Sequence, residues 1–189
     1  TTAYTAGPNI SPLAAIEQNL GERIIVRKPN YSDMESCVRA AAESDVAIIV
    51  CGINNRIENE GVDRSTLELP SEQKTLIERV TKVNPATIVV LQGGSPIACG
   101  WAKDRVPAVV MRWYSGEQGA PALADILLGR ANPAGRLPIT FYSSARDLPP
   151  LTDYEISNGR TYMYFKKATD FVFGHGLSYT TFAYANLEQ

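Results

Sequence analysis

The side chains best suited to proton chemistry lie in Asn59-Glu60-Gly61-Val62-Asp63-Arg64, which leads through Ser65-Thr66-Leu67-Glu68 into Leu69-Pro70. The wider polar stretch from Ile53 to Leu69 adds Asn54, Asn55, Arg56 and Glu58. A stretch longer than about 12 residues without a helix or strand pattern is usually functional or disordered. The chemistry that suits it is general acid catalysis by a carboxylic acid, which burial or a neighbouring carboxylate must keep protonated at working pH. Glu60 is the first candidate. Gly61 lets the backbone turn sharply after it, and Arg64 can orient it or pair with Asp63. The competing reading is a solvated loop whose charges pair with one another. No partner for Glu60 is evident elsewhere in the chain.

Other chemistries fit less well. Gln92-Gly93-Gly94-Ser95-Pro96 could cradle an anion at a helix N-terminus, but it matches neither the dinucleotide fingerprint nor the P-loop. Its glycines read instead as a tight strand-to-helix turn. Ser95 and Ser115 occupy strand-to-helix positions, yet no Gly-x-Ser-x-Gly elbow occurs. His175, the one histidine, sits in Gly174-His175-Gly176 and reads as a structural turn residue. The cysteines are Cys37, Cys51 and Cys99, an odd number that fits buried free thiols better than a disulfide framework. No pair of them has metal-ligand spacing, so neither a metal nor a cofactor is expected. Trp101, Trp113 and Tyr114 could stack on a sugar ring, and Trp113 lies nearer the polar loop.

The elements that must position these groups alternate. Ser11-Pro12 opens a helix through Leu20, which Gly21 ends. Arg23–Arg27 reads as a strand. Ser32 and Glu35 form a capping box for a helix with Met34, Cys37, Val38 and Ala41 on one face. Val46–Gly52 is the next strand. After the polar loop, Ser71 starts a helix whose Leu76, Ile77 and Val80 face inward. Thr87–Gln92 and Ala108–Trp113 are further strands, and Ser115 with Gln118 caps a helix through Leu128. Strands that are apolar on both faces, alternating with helices, mark a mostly parallel sheet covered on both sides. After residue 130 the pattern changes. Asn132 to Phe141 is turn-rich and leads into one short strand, residues 142–170 lack a helical period, and Phe182–Leu187 alternates like a half-buried strand.

Composition sets outer limits. The 189 residues carry a formal net charge of -2, with 44% apolar and 20% charged residues. Lys and Arg are scattered, so no nucleic-acid partner is expected. No apolar run approaches the roughly 20 residues that span a bilayer, so no membrane partner is expected either. The N-terminus has no initiator Met and no signal pattern. The compartment stays open, with a secreted or periplasmic setting preferred, and oligomer formation is open as well.

Five segments together carry a resemblance. Glu60-Gly61-Val62-Asp63-Arg64 followed by Leu67, Leu69 and Pro70 resembles the Glu-Gly-x-Asp-Arg…Leu-x-Leu-Pro segment of family 3 glycoside hydrolases, the β-glucosidases and β-xylosidases. Val89–Pro96 resembles the family's next strand and Gly-Pro turn. Trp113–Gly119, with Ala122-Leu123-Ala124-Asp125 after it, resembles the strand and helix that follow. Asn132–Pro138 is similar to Asn-Pro-x-Gly-Arg-Leu-Pro. Phe173–Phe182 is similar to Phe-Gly-x-Gly-Leu-Ser-Tyr-Thr-x-Phe.

The resemblance implies a three-layer α/β/α sandwich with a mostly parallel six-stranded sheet, followed by the start of a fibronectin type III-like β domain. The expected divisions are 1–145 for the sandwich, 146–170 for an extension or linker, and 171–189 for the truncated β domain. It implies a retaining glycosidase acting on β-linked oligosaccharides or glycosides. Glu60 matches the acid/base position, with Glu58 the weaker alternative. Arg56, Asp63, Arg64 and Trp113 would bind substrate or support the site. The nucleophilic aspartate belongs to a (β/α)8 barrel that this sequence does not contain. The expectation is therefore a segment of a larger enzyme, inactive alone, whose partners are that barrel and the sugar. A catalytically idle sugar-binding or scaffold module is the alternative, and a nucleotide-binding domain a distant third.

Overall fold

Three β-branched-rich apolar runs form one parallel sheet. In the computed structural model, which describes residues 10–22 and 24–186, strands β1 (Ala47–Gly52), β2 (Thr87–Gln92) and β3 (Ala108–Met111) lie in the order β1-β2-β3. Ala47 pairs with Thr87 and Ile88 with Ala108. The central strand β2 is the most enclosed, with Thr87, Val89, Val90 and Leu91 all buried. That is why it reads as an unbroken apolar run and not as an alternating one. β1 lies at an edge, and its Ile48 and Val50 are exposed.

Helices α1 (Pro12–Asn19), α2 (Met34–Ala42), α3 (Ser71–Val83) and α4 (Gly119–Leu127) pack in pairs. α2 and α3 meet around Ala41, Ala47 and Val80, and α3 lies on β1 and β2. α1 and α4 meet through Ala15, Ala120 and Ala124, where small side chains let the two backbones approach closely. The principal core gathers Ile53, Leu69, Ile77, Val89, Leu91, Ile97 and Phe141.

Two caps differ from expectation. Ser11 does cap α1, accepting from the Ala14 amide at 3.1 Å. At α2, however, the cap is Asp33 and not Ser32, with its carboxylate accepting from the Glu35 amide at 3.0 Å. α4 begins at Gly119 and not at Ser115. Pro121 gives the reason: it lacks an N–H, so it is tolerated in a first turn but breaks a helix interior. The expected strand at Arg23–Arg27 is also missing. Residue 23 lies outside the described residues, and residues 24–30 form no ladder. Ile24 and Ile25 are exposed, with no neighbouring strand among the described residues to pair them. β3 stops two residues early because Trp113 turns the chain at φ 59°. No strand forms over the described part of Phe182–Leu187.

The chain after residue 130 is tied back by a second, antiparallel pair. β4 (Phe141–Tyr142) meets β5 (Thr169–Phe171), with the short helix α5 (Thr161–Tyr164) between them in sequence. Phe141 is buried edge-on to both Trp113 and Phe171. Asp170, also buried, reaches into the main body. It accepts from the amides of Cys99 and Gly100, both at 2.7 Å, and from the Ser143 hydroxyl at 2.6 Å. His175 is half-buried against Phe171, and its carbonyl accepts from Leu137 at 2.8 Å. Burial, with Lys103 and Arg136 nearby, holds its ring below the usual histidine value, as suits a structural imidazole.

Candidate active site

The polar loop leaves β1 at Gly52, at the C-terminal rim of the sheet, where open α/β folds place ligands. Gly52 has φ 146°, and a Cβ there would sit 1.9 Å from the Gln92 carbonyl oxygen. Only glycine allows that crossing. The Gln73 side chain closes the strand end, accepting from the Gly52 amide at 2.8 Å and donating to its carbonyl at 2.9 Å. Ile53 is then buried, and Asn54 nucleates a turn by accepting from the Ile57 and Glu58 amides.

Next comes a one-rung hairpin. Asn59 and Val62 exchange backbone hydrogen bonds of 3.1 and 2.9 Å, which leaves Glu60 and Gly61 at the bend. Gly61 has φ 76°, whereas Glu60 keeps an ordinary backbone. A positive φ at the third position alone is the type II pattern, which requires glycine there. The Asn59 side chain accepts from the Glu60 amide at 2.9 Å. Glu60 is thus displayed at the tip of a defined turn, exposed. Arg56 and Asp63, before and after it in the chain, are exposed as well.

Beneath the turn lies a buried polar cluster. The Glu58 side chain is 14% exposed and that of Arg64 is 6% exposed. Glu58 Oε1 accepts from the Gly94 amide at 2.7 Å. Its Oε2 accepts from the Ser95 hydroxyl and lies 3.4 Å from Arg64 Nε. Arg64 Nη2 donates to Ser95 Oγ at 2.8 Å and to the Pro96 carbonyl at 2.5 Å. Arg64 Nη1 is buried and, among the described residues, unpaired. Burial raises the cost of charging Glu58. The hydrogen bonds from Ser95 and Gly94, the Tyr114 hydroxyl beside it and the Arg64 charge outweigh that cost and hold its carboxyl below the usual glutamate value. The single proton of the Tyr114 hydroxyl goes to the Ile53 carbonyl at 3.1 Å. Arg64 is drawn below its ordinary value by burial, against the pull of Glu58.

The loop therefore separates into a tip and a base. Glu60 is at the exposed bend, Arg56 and Asp63 are exposed on the stretches before and after the hairpin rung, and Arg64 is in the base, paired with Glu58 and not with Asp63. Trp113 is near the same rim but packs against the principal core beside Phe141. Sequence reading missed the roles of Gly94, Ser95 and Tyr114. Gly94 and Ser95 lie 36 and 37 residues from Glu58 in the chain, and no local pattern pairs them. No cluster of three or more His, Cys, Asp or Glu able to hold a metal occurs among the described residues.

The hollow beside the loop, between residues 65–68 and 143–146, measures about 140 Å³. Ligand pockets usually run to roughly 300–1,000 Å³. Glu60 is exposed and does not line this hollow.

Comparison with known proteins gives this site a family. Residues 1–179 match the model of the glycosyl hydrolase family 3 C-terminal domain. The chain is 36% identical over 166 residues to the Probable beta-glucosidase I of Aspergillus flavus, covering 82% of this chain and 20% of that one. Among solved structures it superposes on a beta-D-glucoside glucohydrolase from Trichoderma reesei with a TM-score of 0.81 at 27% identity, covering 94% of this chain and 27% of that one. It also superposes on a family 3 exo-beta-xylosidase, solved with a xylobiose aziridine probe, with a TM-score of 0.77 at 34% identity, covering 92% and 24%. The chain thus spans about a fifth of the length of the curated relatives it matches. By the match over residues 1–179 and by these relatives, the chain belongs to glycosyl hydrolase family 3, as its C-terminal domain.

Proposed function

We propose that this chain is the acid/base-bearing segment of a retaining β-glycosidase that releases terminal β-linked glucose or xylose. Glu60 is its proton donor and, later, its general base. The observation that carries the reading is the placement of Glu60: it is exposed on a type II turn at the C-terminal rim of a parallel sheet, within Glu60-Gly61-Val62-Asp63-Arg64. The exposed turn suits a site completed by another surface. In this reading that surface is a (β/α)8 barrel carrying an aspartate nucleophile, with the two carboxyl groups about 5 Å apart. Contact with that surface would also supply the dry surroundings that a general acid needs.

In the first step Glu60 protonates the glycosidic oxygen while the aspartate takes the anomeric carbon. In the second the ionised Glu60 removes a proton from water, which displaces the aspartate and restores the starting configuration. Arg56 and Asp63 flank the turn as substrate contacts, and Arg64 and Trp113 support it from below. The same reading includes a six-stranded three-layer sandwich over 1–145, an extension over 146–170 and the start of a fibronectin type III-like domain at 171–189.

Glu60→Ala in the full-length enzyme tests this. The rate on substrates with poor leaving groups should fall by roughly 10²–10⁴-fold. Substrates with activated leaving groups should lose much less, and azide should restore turnover by forming the β-glycosyl azide. Unchanged activity on poor leaving groups would favour a scaffold or sugar-binding module instead.

A further inference from the structure

Two glutamates lie within three residues of each other, and their surroundings differ completely. Glu60 is exposed at the bend of the hairpin. Glu58 is enclosed at its foot and bonded through both carboxylate oxygens. A carboxylate that only accepts, from an amide, a hydroxyl and a guanidinium, has no proton to give. The Ser95 hydroxyl is fixed in direction, because it donates to Glu58 and accepts from Arg64.

The geometry of the hairpin explains what such a cluster can do. Glu58 precedes the Asn59–Val62 rung and Arg64 follows it. Both are anchored to one piece of backbone, the Gly94–Pro96 turn after β2. The hairpin therefore stands on two feet on a rigid part of the sheet. The fit is tight: a Cβ at Gly94 would lie 3.0 Å from Glu58 Oε1 and 2.8 Å from Tyr114 Cε2.

We propose that Glu58 is a positioning residue, which clamps Arg64 and the Gly94–Ser95 amide and hydroxyl and so sets the height and direction of the turn bearing Glu60. This rests on the acid/base reading of Glu60. Glu58 does not touch the substrate and acts through Glu60. Replacing Glu58 by Gln puts amide hydrogens where acceptors are needed, so one foot of the hairpin loosens. A displacement of about 1 Å in a reacting group can cost on the order of 10²-fold in rate.

The test is a double-variant cycle in the full-length enzyme: Glu58→Gln, Glu60→Ala and both together, assayed on poor and activated leaving groups, with and without azide. Glu58→Gln alone should lower kcat on poor leaving groups by roughly 10–100-fold, spare activated ones, and gain nothing from azide. Added to Glu60→Ala it should have almost no further effect, because the group it positions is gone. If the two losses multiply, Glu58 acts independently and the proposal fails, while the Glu60 reading stands. If azide rescues Glu58→Gln and not Glu60→Ala, Glu58 is the acid/base and both readings fall. A Glu60→Ala variant with full activity on poor leaving groups removes the acid/base reading first and this proposal with it. Ser95→Ala keeps the ion pair and removes one bond to Glu58 and one to Arg64. It should show the same pattern at smaller amplitude even if Glu58→Gln does not fold, and a leaving-group-independent loss there would count against the clamp.

Discussion

Asp170 offers the sharpest test of how the C-terminal stretch is held. Its buried carboxylate accepts two backbone amides, Cys99 and Gly100 at 2.7 Å each, and the Ser143 hydroxyl at 2.6 Å. Asp170→Ala leaves both amides without an acceptor in a region where Cys99 is 2% exposed. A buried donor left unpaired costs about 1–3 kcal/mol. The Ser143 hydroxyl is only half-buried and can turn toward water. Deleting the carboxylate also removes its own desolvation cost, so the orphaned amides set the balance, at about 3–4 kcal/mol for the pair. Asp170→Asn should be milder. Its amide oxygen can keep both N–H groups while its NH₂ turns to Ser143, and only the charge assistance is lost, about 1 kcal/mol. Urea unfolding followed by circular dichroism gives both numbers, with an unchanged m-value expected. An Asp170→Ala loss below about 1 kcal/mol, or an Asn variant weaker than the Ala variant, would refute the argument that these two amides depend on Asp170.

Three further outcomes follow from the geometry. Glu58 has a folded-state value below its unfolded one, so its contribution is present above the ordinary glutamate range and fades as pH falls through the lowered value. The Tm gap between the parent and Glu58→Gln, recorded against pH, should close on the acid side and stay constant near neutrality. Gly52→Ala should destabilise by about 3 kcal/mol or more, since its Cβ would strike the Gln92 carbonyl at an unfavourable φ, whereas Gly116→Ala, with open space around it, should be close to neutral in the same urea titration. Burial pushes the thiols of Cys51 and Cys99 up to about 12. A disulfide reagent at pH 8 should therefore label Cys37 first and reach the other two only on unfolding, and equal rates for Cys99 and Cys37 would contradict that burial.

Much of the sheet was legible because long apolar runs and caps are local signals. Val46–Gly52, Thr87–Gln92 and the inward face of α3 needed nothing beyond the chain's own periodicity. The errors fell where the deciding contact was distant or two cues competed. Ser32 and Asp33 are adjacent cap candidates, and the folded chain uses the second. Ser115 and Pro121 compete in the same way at the start of α4, and the proline, confined to a first turn, prevails. The loop at Glu60 stood out by composition, and its bend by Gly61. Its base did not, because Glu58 and Arg64 meet a turn some thirty residues on, and only the parallel pairing of β1 with β2 brings them together.

The placement of the two tryptophans has an optical consequence. Trp101 and Trp113 both pack on the principal core, and neither belongs to the Asn59–Val62 hairpin. Their emission thus reports chiefly whether the centre of the molecule is intact, with Trp113 also next in the chain to Tyr114 at the foot of the hairpin. A variant at Glu60 that keeps the parent spectrum has kept the core and the foot of the hairpin, and one that shifts it strongly to the red has lost the core. The chain carries its own control for separating damaged chemistry from a damaged fold.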